Sequence, residues 1–483
     1  MDARHQITPN IRKNVQRIVS TPPGCSGTDP LHMEFPKKPH LRADTHLAIP
    51  GGMGGLRGGY YFGIALLVAL ALSVGCIRPR VIPPVDTGGP GKWLPVATQP
   101  PDTIPDDPGI RQVEFTEPND DRPKISPLPR RPQHILALSG GGMFGAFTAG
   151  VLGGWTRTEK RPEFDVVTGI STGALIAPLA FLGPQYDGLM ERFYTRITRK
   201  DIFTYQSWIT VPFRDAVAST APLRDIVESS MTLGMIDDIG KAHRSGRRLY
   251  VGTTNLDTRR FVTWDLGAIA NVTAVTEPER QKKLKEAKKL IVNVLVASCT
   301  MPVVFSPVRI EVEINGKKYT ELHIDGGVTA PVFVPPMVLD AAAPDPRKPA
   351  KLQSPANLYL VQASKSYVEP APVESRVLPV LSVSTATILS AQTRREASNL
   401  FHMCRVAGVN FNMTGIPAEF PTPLGGLEFD RAEMNKLFEK GFEFGVAGPK
   451  WWSSPPERGP GESDPIRGGN KFTIEKSVEL PKE

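Results

Sequence analysis

The sequence predicts an α/β domain built on a largely parallel sheet, and three observations carry that prediction. Short apolar runs of strand length, such as "HILAL" and "FDVVT", alternate with helical stretches rich in small residues. The strands feed directly into those helices, which is the order a parallel sheet requires. Glycines gather at the joints between them, in "SGGGMFG" and "GISTG".

The elements follow in order. "HILAL" (134–138) is a short buried strand, and "GAFTAGVLGGW" is a helix whose small residues allow close packing on a sheet. "FDVVTGIS" is a second strand and "TGALIAPLAFLG" a second small-residue helix. "YDGLMERFYTRI" is helical, and an apolar insertion between Phe203 and Met231 is irregular to helical. "RRLYVGTTNLD" and "RFVTWDL" are a third and a fourth strand. Thr276 with Glu279 reads as a capping box, with Pro278 in the first turn of a helix that buries Leu284, Ala287, Leu290, Ile291 and Val294. Lysines crowd its other side, as on a solvated face. "VRIEVEINGKKYTELHID" is a hairpin turning at Asn315-Gly316. "NLYLVQAS" is another strand, and "DRAEMNKLFEKGFEFG" is a closing amphipathic helix.

Outside this block the chain changes character. The 483 residues include 48 prolines and 44 glycines, unevenly placed. Fourteen prolines fall between Pro79 and Pro132, without apolar periodicity, so 78–132 reads as an extended linker. The expected domain is 133–452, with a flexible tail over 453–483. Residues 1–57 have no pattern and read as a disordered or mis-annotated extension.

Residues 58–77, "GGYYFGIALLVALALSVGCI", form the one long apolar stretch without a charge. A membrane anchor, a secretory signal and a bacterial lipoprotein signal compete for it. Arginines flank both ends, so charge gives no orientation. "SVGC" resembles a lipobox ending at Cys76, and from Met53 the segment is a 24-residue signal with a basic start. The lipoprotein reading is favoured, with Cys76 acylated and the domain held at the bacterial cell envelope. A single-pass anchor is the alternative.

The net charge of +8 suits an anionic membrane surface without requiring one. No stripe of basic and aromatic residues points to nucleic acid. Cys25, Cys76, Cys299 and Cys404 form no CxxC pair, so neither a disulfide framework nor a zinc site is expected. No metal-ligand spacing appears, and no cofactor is expected.

The chemistry gathers at two glycine-rich joints. Gly169-Ile170-Ser171-Thr172-Gly173 is a GxSxG placed between strand and helix, where the turn exposes a serine hydroxyl at a helix N-terminus. A serine needs a base. Of eight histidines only His323 lies beside another candidate, in "LHIDGGV", where Asp325 ends a strand. "SGGGMFG" satisfies the dinucleotide fingerprint as Gly140-x-Gly142-x-x-Gly145, or supplies an oxyanion hole. The fingerprint needs an acidic residue closing the next strand, and Asp165 precedes that strand instead.

Taken together, "LSGGGMFGAFTAGVL", "GISTG", "ASCTMPVVFSP" and "DGGV", in that order, resemble the patatin-like phospholipases, over roughly 135–445. The resemblance implies a three-layer fold with a mostly parallel central sheet between helices. It implies a serine acyl hydrolase cleaving lipid esters by a Ser–Asp dyad without histidine. Ser171 is then the nucleophile and Asp325 the base, and the N–H groups of Gly140, Gly141 and Gly142 form the oxyanion hole. Gly169 and Gly173 flank the elbow, and 297–307 shapes the acyl pocket. A lipid or phospholipid at a membrane surface is the implied partner. The chain departs from the pattern at Phe144, where many members carry Arg or Lys, and this puts phospholipid specificity in doubt. Phe144 reads equally as acyl-channel lining or as core. The alternative function is a catalytically silent lipid-binding or scaffolding protein on the same fold.

Overall fold

The computed structural model describes residues 110–111, 128 and 131–456, except 206–217, 275, 303, 315–316, 350–352, 368–371, 423–425 and 427. The signal segment with Cys76, most of the linker, the Asn315-Gly316 turn and the tail from 457 lie outside the described residues.

The strands are β1 (Ile110–Arg111), β2 (His134–Leu138), β3 (Val166–Gly169), β4 (Thr204–Tyr205), β5 (Ala218–Ser219), β6 (Arg248–Asn255), β7 (Arg260–Asp265), β8 (Val308–Ile314), β9 (Lys317–Asp325), β10 (Asn357–Gln362) and β11 (Asn410–Gly415). The helices are α1 (Gly145–Arg157), α2 (Thr172–Leu182), α3 (Asp187–Thr195), α4 (Arg199–Ile202), α5 (Ala221–Ser230), α6 (Leu233–Arg244), α7 (Leu266–Ala270), α8 (Glu277–Ser298), α9 (Pro336–Ala342), α10 (Val377–Ala407) and α11 (Arg431–Val446).

The main sheet runs β1-β7-β6-β3-β2-β10-β11, with β9 beside β6 and β8 beside β9. Five of its eight pairings among the described residues are parallel, and β6–β7, β6–β9 and β8–β9 are antiparallel. The central strands are apolar because both faces are covered. In β2, Leu136 and Leu138 enter one core with α1, α2, α6 and α8, while Ile135 and Ala137 enter a second with α9 and α10. This is the three-layer α/β architecture expected.

Helices α1 and α11 touch backbone to backbone. A Cβ on Gly150 would lie 2.1 Å from the Phe438 carbonyl oxygen, and one on Gly441 2.2 Å from that of Phe147. Glycine is therefore required at this crossing, which fixes the helix that follows the glycine-rich loop.

Three expectations are corrected. The linker is not wholly free, since Ile110 and Arg111 pair in parallel with Thr263 and Trp264 of β7. The open edge of β7 offers backbone groups that a short extended segment can satisfy. Thr276 does cap α8, but its side chain makes no capping hydrogen bond, and Glu279 instead pairs with Lys283 at 3.0 Å. Helix α6, capped by Thr232 through the Met235 N–H, occupies a stretch whose pattern predicts no element. α10 and β11 complete the second core and are likewise additions to the predicted elements.

Candidate active site

The site forms where two strands meet head to head along one side of β6. β3 pairs with the first half of β6, Gly169 lying opposite Val251. β9 approaches from the other direction and pairs with the second half, Asp325 lying opposite Thr253. The two strands end on either side of Gly252, and this brings together residues separated by more than 150 positions.

Beyond β3 the chain turns sharply. Ser171 has φ 52° and ψ −122°, a positive-φ conformation that a non-glycine residue holds only when its surroundings enforce it. The elbow is packed from beneath, since a Cβ on Gly173 would fall 2.5 Å from the Leu138 carbonyl oxygen. Ser171 then stands before the first turn of α2, where the helix dipole favours developing negative charge.

The Ser171 hydroxyl stands near enough to Asp325 to favour its ionised form. Asp325 is only 8 % exposed, and its Oδ1 accepts the Gly327 N–H at 2.7 Å. Burial pushes its pKa up to about 6, against the lowering effect of that amide and of Ser171. A carboxylate so raised is a better base than an ordinary aspartate near neutral pH.

His323, two residues before Asp325, is fully buried and committed elsewhere. Its Nδ1 is 2.9 Å from Thr253 Oγ1 and its Nε2 3.0 Å from Glu321 Oε2, with Trp264 donating to the same threonine at 2.8 Å. It belongs to a structural network.

Of the three expected oxyanion donors, Gly140 needs correction. Its N–H is donated to the Pro331 carbonyl oxygen at 2.9 Å, so it is already engaged. Among the described residues no protein acceptor takes the N–H of Gly141 or Gly142. Neither position admits a side chain. A Cβ on Gly141 would lie 2.0 Å from the Ala363 carbonyl oxygen, and one on Gly142 2.1 Å from that of Gly426, with φ +57° at Gly142. Gly140 instead packs on Ser171, its hypothetical Cβ lying 3.3 Å from Ser171 Cβ.

Asp165, the residue that a dinucleotide site would need, sits at the opposite end of the sheet. Its carboxylate accepts the N–H groups of Gln133 and His134 at 2.8 and 3.0 Å, fixing the start of β2. Phe144 is partly buried and packs against the larger core.

Sequence reasoning misses Ser298, at the end of α8. Its hydroxyl accepts the Ser171 N–H at 3.0 Å and donates to the Gly252 carbonyl at 2.7 Å. The available signal is a small polar residue closing the mostly apolar run "IVNVLVAS". A small separate apolar cluster joins the described ends of the insertion to the segment after α8. Phe203 and Phe305 meet edge to face there at 5.2 Å, with Ala218, Met301 and Phe429 around them. The Ala218 N–H is donated to the Val304 carbonyl at 2.8 Å.

No helix among the described residues is long and apolar enough to cross a membrane. Nor do the described residues include a group of three or more His, Cys, Asp or Glu able to hold a metal ion.

Comparison with curated proteins finds no match. Among solved structures, VipD from Legionella pneumophila is 12% identical, over 66% of this chain and 67% of that one, with a TM-score of 0.28. The type III effector protein ExoU is 12% identical, over 66% of this chain and 54% of that one, with a TM-score of 0.24. Likenesses this distant carry no weight in the assignment. The family model described as "Patatin-like phospholipase" matches residues 136–338, which span β2 to α9 and include the glycine-rich loop, the elbow and Asp325. The segment that builds the site thus belongs to the patatin-like phospholipase family.

Proposed function

We propose that this protein is a serine acyl hydrolase that cleaves carboxylic esters of lipids with a Ser171–Asp325 dyad. The observation that carries the reading is the meeting of a strained serine elbow with a buried, proton-hungry carboxylate at the ends of β3 and β9. Family membership supports a lipid substrate.

In the proposed reaction Ser171 Oγ attacks the ester carbonyl carbon while Asp325 accepts the hydroxyl proton. The carbonyl oxygen becomes an oxyanion held by the N–H groups of Gly141 and Gly142. Each such donor contributes about 3 kcal/mol to lowering the barrier. Collapse of the intermediate breaks the ester C–O bond, and the departing alcohol takes the proton from Asp325. Water then attacks the acyl-serine with Asp325 again as base, releasing the fatty acid and restoring Ser171. The cluster of Phe203, Phe305 and Met301 supports an acyl-binding role, since it is apolar and follows directly on the residues that touch the elbow. We place the domain at the bacterial envelope, tethered through an acylated Cys76.

The test is labelling of the full chain with a fluorophosphonate, alongside incubation with a mixed lipid extract. Label and released fatty acid, both lost in Ser171→Ala, are expected. An unlabelled wild-type protein that binds lipid without turnover would instead identify a silent scaffold.

A further inference from the structure

Three consecutive residues at the end of α8 each reach the dyad. Ser298 accepts the Ser171 N–H at 3.0 Å through its hydroxyl. Cys299, next in the chain, is close enough for the Ser171 hydroxyl to act on its thiol. Thr300 accepts the Asp325 N–H at 3.0 Å through its carbonyl oxygen. Ser298 and Thr300 are fully buried. Thr300 is itself fixed, its hydroxyl donating to the Ala297 carbonyl at 2.7 Å.

The strands alone do not hold the two dyad residues together. β3 and β9 both pair with β6 but not with one another, and between their ends lies Gly252. Their shared register on β6 therefore sets the separation of Ser171 from Asp325 only indirectly, across Gly252. The Gly252 carbonyl is where the remaining link attaches, through the Ser298 hydroxyl at 2.7 Å. That hydroxyl uses both its capacities, accepting from the elbow and donating to the strand, so it ties the nucleophile to the middle of β6. Two residues later the same helix end holds the aspartate's backbone.

The geometry points to Ser298 as a positioning residue for the nucleophile, with the end of α8 acting as one clamp that sets the spacing of Ser171 and Asp325. This inference rests on the Ser–Asp reading proposed above. It also explains what becomes of the Ser171 amide. That N–H is consumed by Ser298, so the elbow's strained conformation is pinned at its own backbone, and stabilisation of an oxyanion falls to the glycine-rich loop.

A misplaced nucleophile loses rate, and a displacement of about 1 Å can cost on the order of 100-fold. The experiment compares wild type, Ser298→Ala and Ser298→Thr as full chains, using p-nitrophenyl butyrate and a fluorophosphonate. Rates are normalised to folded protein by circular dichroism. We expect Ser298→Ala to lower kcat and the labelling rate roughly 10- to 100-fold with KM within about twofold. Ser298→Thr, which keeps the hydroxyl, restores most of the rate. The inflection of the pH–rate profile stays in place while the plateau falls. A residue that merely supports the fold would admit water around Asp325 and move that inflection to lower pH.

A kcat for folded Ser298→Ala within about threefold of wild type overturns the inference, as does a plateau loss accompanied by a shifted inflection. Should the alanine variant not fold, Ser298→Cys, of nearly equal volume and weaker hydrogen bonding, is judged by the same criteria. A wild-type protein that neither labels nor hydrolyses removes the Ser–Asp reading and this inference together. A reactive wild type with an unaffected Ser298→Ala removes this inference alone.

Discussion

Gly140 donates its N–H to the carbonyl oxygen of Pro331, 2.9 Å away, across the mouth of the glycine-rich loop. The bond joins the end of β2 to the turn that follows Asp325, so the loop and the aspartate segment are held as one unit. It also divides the three glycines into one whose N–H is engaged and two whose N–H groups have no protein acceptor among the described residues.

Substitution should separate these roles. Gly140→Ala keeps the bond to Pro331 and adds a methyl 3.3 Å from Ser171 Cβ, so it is expected to fold and to lose about tenfold in kcat through crowding. Gly141→Ala puts a methyl 2.0 Å from the Ala363 carbonyl, which forces the loop away and removes a donor. A loss of at least about 100-fold is expected there. Ester kinetics on the two folded variants check the order, and equal losses would count against the division.

The elbow's strain makes a prediction about stability. A non-glycine residue at φ 52° and ψ −122° costs of order 1–3 kcal/mol, which glycine does not incur. Against this stand the extra unfolded-state freedom of glycine, roughly 0.5–1 kcal/mol, and a lost hydrogen bond. Ser171→Gly should therefore abolish activity while staying within about 2 kcal/mol of wild-type stability. Urea unfolding at neutral pH measures this, and a larger destabilisation would contradict it.

The raised pKa of Asp325 links activity and stability to pH in opposite directions. As a base it must be ionised, so kcat/KM should rise with pH through about 6 and then level off. Burial raises its folded pKa above the unfolded value of 3.8, so the folded state holds the proton more tightly. The resulting stability is fully present below pH 3.8 and is lost as pH rises through about 6. Asp325→Asn should thus be more stable than wild type at pH 8, by up to about 3 kcal/mol, with the difference vanishing near pH ~3.5. Asp265, also raised to about 6 by burial, contributes equally to both proteins, and the subtraction removes it. Thermal unfolding of the pair across this range provides the check.

Chain-length preference should report on the aromatic cluster. Phe305→Ala removes the ring that meets Phe203 at 5.2 Å. Apolar burial of a long acyl chain against that ring is worth about 1–2 kcal/mol, or roughly tenfold in kcat/KM. The ratio of octanoyl to butyryl ester hydrolysis should fall by about that factor, and an unchanged ratio would place the acyl chain elsewhere.

The envelope tether is checked by mass spectrometry of the mature protein. A chain beginning at Cys76 and carrying acyl groups is expected, and one that retains residues before Cys76 would rule out the lipoprotein form.

Much of this is legible in the sequence because the central strands are buried on both faces, which leaves apolar runs such as "HILAL" with a motif at the C-terminal end. Ser171 and Asp325 are legible as candidates because each lies at its own local turn. Helix α6 is not, since Gly234, Gly240 and the pair Asp237-Asp238 dilute its pattern. The first half of α10 carries exposed Val380, Val383 and Ile388, which leave no one-sided stripe to read. Ser298 and the Gly140–Pro331 bond are not legible because their partners are distant in sequence, 46 and 127 residues away for Ser298. Only the tertiary meeting of β3, β6 and β9 gives them a role.

The glycine crossing of α1 with α11 bears on where a working protein can be cut. Residues 136–338 hold every group proposed to touch substrate, yet the helix behind the oxyanion loop rests on backbone contributed by Phe438. β10 likewise pairs with β2 along its length and shields its open edge. A fragment ending at 338 would leave that edge bare and α1 without its neighbour, and it should aggregate. A self-standing domain has to run on through Val446.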